Sequence, residues 1–393
     1  MRPWKPAATP FLATFLAALL LPAQALAQGK PQPKPKLPRP RRLDRSIELH
    51  RDPATGELRE IHATPGAQAA PSGEVIRARV NLVEAGCTAL SSDGTPLRGL
   101  TRDDFRVFED GVEQRIAHFD AASVPASIAL LLDASPSVFR EFAEMKAAAR
   151  ALSESLLPAD EVALVAFAGG THLLLPFSRD RALLERAIAS SALAQVANSS
   201  ESNIYQAIYL TAGELFRGRP PRPGRKAIVV LTDGQDSGLG LGWDPASALP
   251  QPGAKANRLT FEDVARELAA AGVEVYAIST QTRPKAMTAE WLEAHRGEVL
   301  VTPAARELGM VHYTLYLAEL VRRAGGQLYF LREMGTLGDV YRRIARTLGA
   351  QYTLGYYPAA GLTRPGWRTL RVELPGHRGT RLTYRVAYYV PAE

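Results

Sequence analysis

The sequence predicts an α/β fold: a doubly wound, mostly parallel sheet with helices on both faces, flanked by a small β-sandwich formed by the N- and C-terminal segments. Three observations carry this expectation. Ile128–Leu132 and Ala227–Leu231 are continuous apolar runs of strand length, as strands covered on both faces must be. Segments of helical length separate such runs, which is the alternation that builds a parallel sheet. The two ends of the chain instead carry short alternating runs bounded by turn clusters.

The elements follow in chain order. Arg2 and Lys5, the apolar stretch Phe11–Leu21 and Ala25-Leu26-Ala27 read as a signal peptide over residues 1–27. The apolar part is about half of the roughly 20 residues that a membrane span needs. No transmembrane anchor is expected, and the protein is expected to be exported, to a periplasm or to the exterior. Residues 28–73 read as a disordered linker, because Lys30-Pro31-Gln32-Pro33-Lys34-Pro35-Lys36 alternates proline with like charges. Its basic residues, within 30–45, offer an electrostatic tether to an anionic envelope.

Residues 74–124 are expected to form short strands, with a turn at Ser91–Pro96 and another at Asp110-Gly111. Residues 350–393 hold three more alternating runs, Gln351–Tyr357, Thr369–Leu374 and Arg381–Tyr388, and are expected to pair with 74–124. The middle, 125–349, alternates strand and helix, with a hairpin at Gly169-Gly170. Arg322-Arg323 and Arg342-Arg343 read as solvated helix faces.

Net charge is +7, but it is uneven. Residues 1–45 hold nine lysines and arginines against Asp44, so the rest is close to neutral and argues for no nucleic-acid partner. Cys87 is the only cysteine, so no internal disulfide is available and packing alone holds the fold. The seven histidines show no His-x-His or His-x-x-x-His spacing, which argues against a zinc site. No Gly-x-Ser-x-Gly elbow and no glycine-rich loop before lysine is present.

The chemistry concentrates at two strand exits. Asp133-Ala134-Ser135-Pro136-Ser137 follows the first apolar strand, and Thr232-Asp233-Gly234 ends a later one. One carboxylate and two hydroxyls on one turn are hard oxygen donors of the kind that hold Mg²⁺. Either motif alone also reads as a helix cap or an ordinary turn. Two aspartates would match the charge of one divalent cation, and neutral serines would leave it able to take a further carboxylate.

The middle segment resembles a von Willebrand factor type A domain, on Asp133-x-Ser135-x-Ser137, Ser202-Asn203-Ile204 opening a helix and Leu231-Thr232-Asp233-Gly234. The flanks, through Gly99–Gly111 and Gln351–Pro358, resemble an exported bacterial subgroup with such a domain. The resemblance implies a metal-ion-dependent adhesion site holding one Mg²⁺, Mn²⁺ or Ca²⁺. Ser135 and Ser137 would ligate directly, and Asp133 and Asp233 directly or through water. Ser202 stands where the family usually has threonine. The reading is a non-enzymatic module that captures a protein ligand's Asp or Glu. Alternatives are a metal-free envelope scaffold and a phosphoryl-transfer enzyme using Asp133.

Overall fold

The computed structural model describes residues 37–43, 48–51, 58–61, 82–121, 124–135, 142–190, 196, 202–220, 224–234, 236, 259–281, 283–288, 291, 312–359 and 365–391. The predicted signal peptide and most of the predicted linker lie outside these residues. No described helix is long and apolar enough to cross a membrane.

The strands are β1 (Arg41–Arg42), β2 (Glu48–Arg51), β3 (Leu58–Ile61), β4 (Val83–Leu90), β5 (Arg106–Glu109), β6 (Val112–Gln114), β7 (Ile116–Asp120), β8 (Ala126–Asp133), β9 (Glu161–Phe167), β10 (Thr171–Ser178), β11 (Arg225–Thr232), β12 (Glu274–Ser279), β13 (Leu328–Phe330), β14 (Tyr352–Tyr356), β15 (Gly366–Glu373), β16 (Arg381–Tyr384) and β17 (Ala387–Val390). The helices are α1 (Phe142–Ser155), α2 (Arg181–Ile188), α3 (Ile204–Leu210), α4 (Phe261–Ala271), α5 (His312–Ala324) and α6 (Leu337–Leu348). A π-helical stretch, Thr211–Arg217, continues α3.

The central sheet has the order β1-β10-β9-β8-β11-β12-β13. β8 pairs in parallel with β9 on one side and β11 on the other. The chain runs outward from β8 through β9 and β10, then returns to β11, so the direction of winding reverses at β8. Every residue of β8 is buried, as its unbroken apolar run requires. Alternate residues feed two cores. Ala129 and Leu131 pack with α3, α4 and α5, while Ile128, Leu130 and Leu132 pack with α1, α2 and α6. The doubly wound expectation holds.

The flanks form two four-stranded antiparallel sheets, β16-β4-β14-β7 and β17-β15-β5-β6. N- and C-terminal strands interleave: β4 lies between β16 and β14, and β5 lies between β15 and β6. Their shared core includes Val83, Cys87, Val107, Leu354, Leu370 and Val372, and Cys87 is a buried free thiol. The Asp110-Gly111 turn has both residues at positive φ, 47° and 84°, the geometry of a tight hairpin.

Three expectations need correction. The single strand expected over Arg381–Tyr388 is two, β16 and β17, in different sheets. The chain changes layer at Arg385-Val386, the usual way a strand turns a sandwich corner. Part of the expected disordered linker is ordered. Arg41-Arg42 pair antiparallel with β10, the Leu43 amide donates to the Thr171 carbonyl at 2.8 Å, and Leu43 enters the core. Glu48–Arg51 also pairs with Leu58–Ile61. An open sheet edge offers unpaired backbone groups, and a buried leucine pins the register there. Arg322 and Arg323, expected to be solvated, are mostly buried and ion-paired.

The sandwich docks on the strand-start side of the central sheet and against α4 and α5. Gln351 donates to Glu274 at the head of β12, and Gln327, ahead of β13, donates to Thr383 at 2.9 Å. Trp367 of β15 hydrogen-bonds to Glu262 of α4, and the Arg323 guanidinium stacks over the Trp367 ring at 5.6 Å. The strand-exit side is left for the candidate site.

Candidate metal centre

β8 and β11 run side by side in the register Leu132↔Leu231. Asp133, the last residue of β8, and Asp233, the first after β11, therefore leave the sheet together at the point where its winding reverses. That is where an open α/β sheet forms its ligand crevice. Four of the five residues singled out from sequence (Asp133, Ser135, Ser202 and Asp233) fall among the described residues and are buried. Ser137 lies outside them.

Asp133 is the hub. Its Oδ1 accepts the Ser135 amide at 2.9 Å. Its Oδ2 accepts the Ser202 hydroxyl at 3.2 Å and the Thr232 hydroxyl at 2.9 Å. The Ser135 hydroxyl also bonds to this carboxylate. A helix cap would serve amides a few residues ahead. Asp133 instead gathers a serine 69 positions away and a threonine 99 away.

The local chain is built for this. Thr232 is the one polar residue closing the apolar run of β11, and its hydroxyl also accepts the Gly234 amide at 3.0 Å. Gly234 has φ 81°, a left-handed conformation that glycine adopts without strain, so the chain turns sharply just after Asp233. Ser202 stands two residues before α3. The Tyr205 amide, in the first turn of α3, donates to Asp236 Oδ2 at 3.1 Å.

The electrostatics are those of an anionic pocket. Burial pushes the Asp133 carboxyl above the ordinary range. Hydrogen bonds from Ser135 and Thr232 hold it down, and the neighbouring charge of Asp233 pushes it up again. No cationic side chain is among the leading influences on it. Nor do three His, Cys, Asp or Glu side chains cluster anywhere among the described residues. The donors at this crevice are two carboxylates and several hydroxyls, all hard oxygen. That set fits a hard divalent cation, whose charge it matches.

Reading the sequence missed two residues that organise this site or its surroundings. Thr232 was legible in principle, as a polar residue at the end of a wholly apolar strand. Asp236 gave no such signal, because its partner is a backbone amide in a distant segment.

Comparison with known proteins adds the family. The family model described as von Willebrand factor type A domain matches residues 127–294. No curated protein matches the chain. Among solved structures, an aerotolerance-related membrane protein from Bacteroides fragilis is 18% identical, with a TM-score of 0.35, over 56% of this chain and 98% of that one. A von Willebrand factor type A protein from Catenulispora acidiphila is 13% identical, with a TM-score of 0.37, over 79% of this chain and 72% of that one. Proximal thread matrix protein 1 from the mussel byssus, in a form whose adhesion-site motif is occupied by zinc, is 16% identical, with a TM-score of 0.36, over 57% of this chain and 48% of that one. Residues 127–294 are thus what this chain shares with the von Willebrand factor type A domain model.

Proposed function

We propose that this protein is an exported, non-enzymatic binding module whose strand-exit crevice holds one divalent cation, Mg²⁺, Mn²⁺ or Ca²⁺, and captures an Asp or Glu side chain of a protein partner. Asp133, Ser135, Ser137, Ser202 and Asp233 would hold the ion. When bound, it would supply a Lewis-acidic point for the partner's carboxylate.

One observation carries the reading. Asp133 and Asp233 are buried together, and Asp133 is met by the Ser202 and Thr232 hydroxyls and the Ser135 amide, with no positive side chain among the leading influences on its charge. Burying like charges in this way is costly unless something positive arrives. Domains of this family commonly mediate protein contacts, often through a metal-ion-dependent adhesion site, which agrees with that reading.

The chain's own residues set the terms of binding. The Ser202 and Thr232 hydroxyls donate to Asp133, which fixes where their oxygen lone pairs point. Two carboxylates, Asp133 and Asp233, are assigned to the ion, so it keeps an appetite for a further carboxylate from outside. The apolar walls of β8 and β11 limit water around the pair, which strengthens each electrostatic contact.

Calorimetric titration of the full chain with Mg²⁺, Mn²⁺ and Ca²⁺ tests the cation. A pull-down from envelope extract, with and without chelator, tests the partner. Metal-dependent retention of a protein is the expected result. A partner held equally in both conditions, or no heat of metal binding, removes the metal bridge and leaves a scaffold.

A further inference from the structure

We propose that Asp236 is a positioning residue for Ser202, fastening the segment after β11 to the helix that Ser202 precedes. This rests on the reading of the strand-exit cluster as a cation site and deepens it.

The argument starts at the first turn of α3. The leading amides of a helix have no partner within it and need acceptors from elsewhere. Asn203, the residue placed to cap α3, makes no side-chain cap bond. Asp236 supplies an acceptor instead, taking the Tyr205 amide at 3.1 Å from 31 positions further along the chain. A carboxylate at a helix start is also favoured by the helix dipole. Asp236 lies three residues beyond Asp233. One short stretch of chain thus delivers Asp233 to the crevice and caps the helix that follows Ser202.

The brace matters because Ser202 stands two residues before the turn that it fixes. Its hydroxyl reaches Asp133 at 3.2 Å, long for a bond between oxygens. Serine lacks the methyl that restricts the threonine rotamer. Backbone placement therefore bears on where the hydroxyl is aimed. Packing fixes the lateral position of α3: Ile204, Ala207 and Ile208 sit in the core, and the Tyr205 ring meets Phe261 edge-on at 6.4 Å. The cap fixes how the first turn sits against the β11 exit, and Ser202 is two residues upstream of it.

A purely structural cap would change stability by about 1 kcal/mol and nothing else. A positioning role predicts coupling to Ser202, and a double-mutant cycle in metal affinity separates the two. The experiment titrates Mn²⁺ into the full chain for the wild type, Asp236→Ala, Asp236→Asn, Ser202→Ala and the Asp236→Ala/Ser202→Ala double variant. Thermal unfolding in chelator is recorded for each.

Asp236→Ala is expected to weaken Mn²⁺ binding about tenfold, the lower end for loss of an outer-shell partner. Asp236→Asn should bind nearly as the wild type, because its amide oxygen still accepts the Tyr205 amide. The double variant should bind no more weakly than Ser202→Ala alone. Unchanged affinity in Asp236→Ala overturns the proposal. So does a full repeat of its loss in the Ser202→Ala background, or a loss in Asp236→Asn as large as in Asp236→Ala, which would assign Asp236 a role through its charge. A wild type that takes up no Mn²⁺ sinks the cation reading itself, a distinct failure.

Discussion

Two of the places where the molecule buries acidic side chains treat them differently. Between α4, α5 and the sandwich, Glu319 is fully buried and bridged to Arg322 and Arg323 at 2.8 and 2.7 Å. Glu262 nearby takes Arg323 at 3.0 Å, with Arg266 at 3.8 Å. At the exits of β8 and β11, Asp133 receives hydroxyls and an amide from the described residues. The first arrangement is a closed account of charge that clamps two layers together. The second is open, and the imbalance marks the place where an external cation would be favoured.

The contrast can be broken by substitution. Glu319→Ala leaves two mostly buried guanidinium groups short of a carboxylate, and breaking one side of such a network costs about 3–5 kcal/mol. Denaturant unfolding should show that loss, while metal affinity in the surviving folded fraction stays within about twofold by this reasoning. A loss of under ~1 kcal/mol would mean that the seam tolerates charge as easily as a surface does.

Asp133→Asn should do the opposite. In chelator its stability should stay within about 1 kcal/mol of the wild type, because the amide keeps an acceptor and the hydroxyls can rotate. The stabilisation from added metal, about 2.7 kcal/mol at a hundredfold excess over the dissociation constant, should vanish. Retained metal stabilisation would take Asp133 out of the ligand set.

Acidity sharpens the comparison further. The Asp133 carboxyl sits above its ordinary range in the fold, so the folded chain binds a proton that the unfolded chain does not in that window. In chelator its contribution therefore favours folding as pH falls from neutral toward ordinary carboxylate values, and opposes it as pH rises. Asp110 in the sandwich runs the other way. Burial opposes its charge, but the Thr369 amide and the Arg368 guanidinium hold it below the ordinary value, so its contribution is lost as pH falls through that lowered value. The stability difference between Asp133→Asn and the wild type, measured in chelator, should shrink with acidification. A difference independent of pH would show that Asp133 is not perturbed.

The smallest effect is expected at the surface. Arg342 and Asp339 form an ion pair with both side chains at least half exposed. Arg342→Ala should move stability by no more than about 0.5 kcal/mol. A larger loss would erase the distinction between exposed and buried pairs on which the contrast rests.

Much of this was legible in the sequence, for identifiable reasons. Ile128–Leu132 announced a strand covered on both faces because it does not alternate, and Asp133 and Asp233 were visible as acids stranded at the ends of such runs. The ordered strap at Arg41–Leu43 was not, because a run of proline and arginine reads as solvated chain until a sheet edge is there to receive it. Arg322 and Arg323 were misread for the same reason: their carboxylate partners include Glu262, on another helix, and local pattern is blind to that. The split of Arg381–Tyr388 depends on where two sheets diverge, which alternation does not encode. Asp236 depends on a backbone partner, and backbone partners leave no trace in composition.

The interleaving of the sandwich strands has a consequence for how the chain reaches its final state. β14 must slide between β4 and β7, pairing Thr353 with both Gly86 and Asp120, so neither early strand finds its neighbour until the last part of the chain exists. Such distant closure is slow. A chain cut short before Tyr352 would keep a complete central sheet, yet carry orphaned ribbons with bare edges, ready to stick to one another.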